Sequence, residues 1–110
     1  MHYFQTTFVI LLEELKAAFQ QHGLMLTAAV SAGKETIDKA YNVIAMSEHL
    51  DLINVMAYDF HGAWEQKTHH NSPLFAHPAD KENNNDYLNV VINIFLIFYN
   101  DCKNTNVIRL

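Results

Sequence analysis

The 110-residue sequence predicts an α/β fold with parallel strands, and three observations carry that reading. In two segments the apolar residues recur at steps of three and four, the period of a helix that buries one face. Between and after these segments stand two short apolar runs, too brief for helices and suited to buried strands. Connections of about two to five residues join them, and a helix-strand-helix-strand order is the rhythm of a sheet whose parallel strands need crossover helices.

Taken in order, Phe8, Leu11, Leu12, Leu15, Ala18 and Phe19 form the first stripe and predict a helix over 7–21. Thr6 or Thr7 suits its first turn as a cap, and Gly23 suits a left-handed stop after its last. The run Leu24 to Ser31, bounded by glycines, predicts a buried strand. Ile37, Ala40, Tyr41, Ile44 and Ala45 repeat the helical stripe and predict one helix over 36–49. Asp51 to Tyr58 is nearly all apolar, with β-branched Ile53 and Val55, and predicts a second strand buried on both faces. Residues 60–86 then read as one long loop holding His61, His69, His70, His77, Pro73 and Pro78; a loop of that length needs a functional reason. The stretch 88–110 is apolar and then Asn-rich, without helical caps.

Composition narrows the function. Half of the residues are apolar and 17% are charged, which places the chain among globular domains, with room for one core. A net charge of −5 without Lys or Arg clusters argues against nucleic-acid and anionic-membrane partners, both of which need concentrated positive charge. The apolar run Phe8 to Leu12 stops at Glu13 and Glu14, too short for a secretory core, and Leu88 to Tyr99 falls well short of the roughly 20 residues needed to span a bilayer. Cys102 is the lone cysteine and has no internal partner for a disulfide.

Alternation along the second strand puts Asn54, Met56 and Tyr58 on one face and Ile53, Val55 and Ala57 on the other. The aliphatic face suits helices. The other face bears an amide, a thioether and a phenol, and is followed by Asp59 and a loop with His61 and Trp64; the C-terminal ends of strands are where parallel α/β proteins place ligands. Ordinary core packing is the alternative for Met56 and Tyr58, and a folding role for Trp64. His61, His69, His70 and Glu65 are metal-ligand types, but neighbouring histidines usually diverge and no helical His pair at i, i+4 is present, so no metal is expected.

The run INVMAYDFHGAWE, Ile53 to Glu65, resembles the sixth-strand signature of family 18 glycoside hydrolases, the chitinases and chitinase-like lectins, particularly those of insects. FVILLEELKAAF (Phe8 to Phe19), LTAAVSAGKETIDKAY (Leu26 to Tyr41) and HNSPLF (His70 to Phe75) resemble the same family in its order and spacing. The resemblance implies a (β/α)8 barrel, of which this chain supplies the helix after strand four, strand five, helix five, strand six and part of the following loop. Whole barrels need about 250 residues, so an incomplete barrel is expected.

The resemblance also implies chemistry. Family members cleave β-1,4-linked N-acetylglucosamine with retention, the substrate's own acetamide oxygen attacking the anomeric carbon, an exception to the scheme of two protein carboxylates. By resemblance Tyr58 donates a hydrogen bond to that acetamide and Asp59 orients it, Met56 and Ala29 line the subsite, and Trp64 offers a ring to a sugar face. The partners implied are chitin or N-acetylglucosamine oligosaccharides, with no cofactor, and an extracellular location. The general acid of the family closes a DGxDxDWE motif on strand four, and these 110 residues contain no such motif. The expectation is therefore a chitinase-type domain inactive by itself, with a non-catalytic lectin or growth-factor-type binding protein as the alternative. Ala63 stands where the family usually has Ser, and His69 where it has Gly. Residues 1–90 carry the resemblance, 91–110 read as a divergent tail, and open sheet edges together with a β-branched 88–99 segment predict self-association.

Overall fold

The computed structural model describes residues 2–82 and 84–102. The order is α1 (His2–Gln20), β1 (Thr27–Ser31), α2 (Lys34–Ala40), α3 (Val43–His49), β2 (Leu52–Met56), α4 (Pro78–Glu82) and α5 (Val90–Cys102). The α/β expectation holds, and the two strands pair in parallel.

Helix α1 starts earlier than its stripe predicts, so Thr6 and Thr7 lie inside it rather than capping it. Gln5 Nε2 donates to the Asp38 carbonyl at 3.2 Å, which anchors this early turn to α2. The helix ends as expected. Gly23 takes φ +66°, Gly23 N–H donates to Gln20 O and Leu24 N–H to Phe19 O, the paired closure that satisfies the last carbonyls of a helix.

The single helix expected over 36–49 is two. Tyr41 is extended (φ −114°, ψ 128°) because its hydroxyl reaches back to accept from Ser31 N–H at 3.0 Å, pinning the break to the end of β1. Asn42 then caps α3, its Oδ1 accepting from Ala45 N–H at 3.2 Å. A short amide beside the backbone competes with helix continuation and favours this cap.

Both strands are shorter than their apolar runs. The register pairs Thr27 with Leu52, Ala29 with Asn54 and Ser31 with Met56 on one face, and Ala28 with Ile53 and Val30 with Val55 on the other. Only the second face is covered, by the core of Leu12, Leu26, Val30, Ile37, Val43, Met46 and Ile97, so β2 is not buried on both sides as predicted. Asp51 ties the layers: Lys16 Nζ donates to both of its oxygens at 2.7 Å, and its Oδ2 also accepts from Leu26 N–H at 2.8 Å. These contacts hold the Asp51 carboxyl below its ordinary pKa of 3.8, the Lys16 hydrogen bond first and the Leu26 amide second.

The predicted loop 60–86 contains a short helix, α4, and the predicted capless tail begins as α5. Asn89 Oδ1 accepts from Ile92 N–H at 3.0 Å and starts α5. Asn93, fully buried, donates through Nδ2 to Tyr87 O at 2.7 Å and Asn89 O at 2.8 Å. The helix thus buries amides beside Ile97 while Val91, Ile92 and Phe95 face out, which is why no helical stripe is visible in the sequence. Residues 103–110 of the expected tail lie outside the described residues. Among the described residues no helix is long and apolar enough to cross a membrane.

Candidate functional site

The uncovered sheet face and the chain leaving β2 form the site. Ala29 and Asn54 are adjacent and exposed on that face, and Met56 follows, 37% exposed. Beyond the strand Tyr58 is half exposed at 52%. In these 110 residues neither Met56 nor Tyr58 is buried in the core. Ala29 and Met56 lie on the uncovered face, Ala29 at mid-strand and Met56 at the C-terminal end of β2, and Tyr58 follows beyond it.

Asp59 has φ +56°, in the left-handed region that non-glycine residues seldom occupy and that clusters at functional sites. The loop returning at Asn71 holds it there. Asn71 Nδ2 donates to Asp59 Oδ1 at 2.8 Å, Phe60 N–H donates to Asn71 O at 3.0 Å, and Ser72 Oγ donates to Ala57 O. Phe60 is buried, so a buried residue on each side of the turn, Phe60 and Pro73, fixes the strand end against the loop. Asn71 and Ser72 are site residues that the sequence reading did not single out. The proximity of HNS to the strand end is a tertiary contact with no local signal.

Trp64 is 68% exposed and stands against Gly62: a Cβ at position 62 would lie 2.3 Å from the indole Cζ3. The glycine is what lets the ring lie across the backbone. Glu65 N–H donates to Gly62 O at 3.1 Å and closes this turn.

Below the turn lies a cluster that joins His61 and His69 to Asp80, a residue with no ligand signal in the sequence. His61 is 2% exposed, its Nδ1 faces both Glu65 oxygens at 3.0 and 3.1 Å, and its buried Nε2 has no hydrogen-bond partner among the described residues. The His69 ring stacks on it, centroids 3.7 Å apart and planes 13° apart. His69 Nδ1 accepts from His70 N–H at 2.9 Å; its Nε2 lies 3.1 Å from Asp80 Oδ1, at an angle that makes no hydrogen bond. Asp80 is 4% exposed, and its Oδ2 accepts from His77 N–H at 2.8 Å. His69 and His70 diverge as expected, yet α4 folds Asp80 back beside the His61–His69 stack.

Two parallel strands joined through helices, with polar residues gathered beyond the C-terminal end of β2, make up one β-α-β unit of a parallel α/β fold. The model of "Glycosyl hydrolases family 18" matches residues 4–101, and the chain belongs to that family. The match continues past position 90, through most of α5. The chain is 48% identical over 73 residues to "Probable chitinase 2" of Drosophila melanogaster, covering 66% of this chain and 15% of that protein. It is likewise 48% identical over 81 residues to the "Oviduct-specific glycoprotein" of Ovis aries, covering 67% of this chain and 15% of that protein. Among solved structures, catalytic domain 2 of the Ostrinia furnacalis Group II chitinase superposes with a TM-score of 0.81 at 41% identity, over 87% of this chain and 24% of that one. Human YKL-39, described as a pseudo-chitinase with retained chitooligosaccharide binding, superposes with a TM-score of 0.79 at 38% identity, over 87% of this chain and 29% of that one. The 110 residues thus form an incomplete barrel, a small share of the length of these relatives.

Proposed function

We propose that the exposed end of β2 is an N-acetylglucosamine subsite of chitinase type. Tyr58 donates to the sugar's acetamide oxygen, Asp59 orients the acetamide, Met56 and Ala29 form the floor, and Trp64 stacks on a sugar face. The observation that carries this reading is Asp59: an exposed carboxylate in a left-handed conformation, tethered by Asn71 at 2.8 Å beside an exposed phenol, at the strand end of a family 18 chain. A carboxylate held so in water has no packing role, whereas positioning a polar ligand group requires such fixed geometry.

Hydrolysis is not expected from these residues alone. Cleavage needs an acid within reach of the glycosidic oxygen with its pKa raised. Asp59 is committed to Asn71, Glu65 to His61, and Glu13, Glu14, Asp38 and Glu48 lie on helices covering the opposite face of the sheet. Binding without cleavage is the second reading, favoured by the similarity to a pseudo-chitinase that keeps oligosaccharide binding. An extracellular location belongs to the same proposal, supported by similarity to a protein named as a glycoprotein. So does self-association through the two open edges of the β1–β2 pair; the 88–99 segment, mostly helical, takes no part as a strand.

The test is the purified chain with a fluorogenic N-acetylglucosamine oligomer, and with the plain oligomer in calorimetry. Weak binding that Asp59→Ala weakens further but leaves measurable, with no turnover, is expected. Turnover above background that vanishes in Asp59→Ala would overturn the inactive reading; no binding at millimolar oligomer would overturn the subsite.

A further inference from the structure

We propose that His61, His69 and Asp80 form a binding site for a Zn2+-type divalent cation that staples the loop after β2 to the strand end. One donor atom from each of the three lies within 4.8 Å of the other two. An imidazole pair with one carboxylate is a donor set that zinc takes readily, leaving a fourth position for water.

Burial and charge carry the inference. Asp80 is 4% exposed, and Glu65 is drawn in beside the fully enclosed His61. Among the described residues neither carboxylate pairs with a Lys or Arg. Buried charges are paired or coordinate metals, because an isolated one is far more costly than a buried apolar group. Here the neighbours are two histidines whose inner nitrogens, His61 Nε2 and His69 Nε2, both lack hydrogen-bond partners. Buried imidazole nitrogens without partners are the exception in folded proteins. One cation supplies a partner to both and neutralises the carboxylate.

The surroundings are arranged as for a ligand. Glu65 receives the His61 Nδ1–H, which leaves the Nε2 lone pair facing the cluster; this is the carboxylate-histidine arrangement that orients metal-binding imidazoles. Asp80 Oδ2 is fixed by His77 N–H, while Oδ1 faces His69 Nε2 at 3.1 Å, a spacing that two ligands of one ion can share. An open depression lined by Thr68, His69, His70 and His77 gives solvent access to His69, one of the three ligands. Occupation requires one movement. Rings parallel at 3.7 Å do not aim two lone pairs at one ion, so His69 turns about its Cα–Cβ bond, leaving the stack and the His70 N–H.

The purified chain, stripped with chelator, is titrated with ZnCl2 by calorimetry and with CoCl2 by absorption spectroscopy. The expected result is saturable one-to-one uptake, with an intense tetrahedral Co2+ spectrum. Glu65→Gln should weaken Zn2+ by about 10- to 100-fold, as loss of an orienting carboxylate does. His69→Ala and Asp80→Asn should weaken it at least as much, while His22→Ala, at an exposed position, leaves it unchanged. Far-UV circular dichroism checks that each variant is folded. Absence of one-to-one uptake by the native chain overturns the proposal, and so does wild-type affinity in folded His69→Ala and Asp80→Asn. An octahedral Co2+ spectrum of the native chain overturns it without recourse to any variant. None of these readouts involves sugar, so they stand apart from the subsite.

Discussion

Replacing Asn71 by alanine tests whether Asp59 is a positioned group. The substitution removes the Asn71 Nδ2 donation to Asp59 Oδ1 at 2.8 Å but keeps the backbone bond from Phe60 N–H to Asn71 O, so the loop stays in place. A hydrogen bond to a charged group contributes about 1.5–3 kcal/mol, and at an exposed pair the lower end applies. The tether also works against backbone strain: an L-residue in the left-handed region, here φ +56°, costs on the order of 1 kcal/mol, less for Asp than for most. Once untethered, Asp59 relaxes toward extended backbone and its carboxylate leaves the orientation required for an acetamide. The affinity for an N-acetylglucosamine tetramer should then fall by about 10-fold, since about 1.4 kcal/mol corresponds to one decade. Calorimetry on the native chain, Asn71→Ala, Asp59→Ala and the double variant makes the assay a thermodynamic cycle. Because Asn71 acts through Asp59, the double variant should bind no more weakly than Asp59→Ala alone. Additive losses, or an Asn71→Ala chain that binds as the native one does while Asp59→Ala does not, would refute the positioning argument.

In a chimera in which these residues replace the matching part of an active family barrel, Tyr58→Phe should lower turnover by about two decades, on the order of 3 kcal/mol, with the melting temperature unchanged; full activity would remove the acetamide role. Gly62→Ala should displace the Trp64 ring, which a Cβ would meet at 2.3 Å, and intrinsic fluorescence reports the shift. Ile37→Ala, at a core position 1% exposed, should cost about 2–5 kcal/mol in urea unfolding. The Asp51 pKa is lowered in the fold, so its contribution is present above pH 3.8 and is lost as pH falls through the still lower folded value. Asp51→Asn should therefore lower the melting temperature at neutral pH and flatten its fall below pH 4; an unchanged acid limb would show that Lys16–Asp51 contributes nothing.

The elements that the sequence displayed are those whose buried residues are apolar and whose ends carry local signals. Of the predicted α1 stripe, Phe8, Leu12, Leu15 and Phe19 pack against the core while Leu11 and Ala18 stay exposed, and Gly23 closes the helix. Where polar groups are buried, the pattern failed. Asn89 caps α5 and Asn93 lies on its inner side, both buried because they bind carbonyls at 86, 87 and 89, and a reading that equates burial with apolarity sees no helix there. The break between α2 and α3 was hidden for a related reason. It is fixed by the Tyr41 hydroxyl on Ser31 N–H, a contact between residues that periodicity treats as independent.

The site was legible to the extent that it depends on alternation. Ala29, Met56 and Tyr58 were placed by the period of two and by resemblance, while Asn71, Ser72 and Asp80 reach the strand end only through loop closure, which leaves no local trace. Core and site are nonetheless one constraint. Val30, Ile53 and Val55 face the helices in the register that sets Ala29 beside Asn54 and Ser31 beside Met56. A slip of one residue would turn the aliphatic set to solvent and press Asn54 and Met56 into the core, at the cost of the burial that holds the pair together. The same contacts that stabilise the sheet therefore fix which side chains line its open face, and the strand leads from there directly into Tyr58 and the strained Asp59.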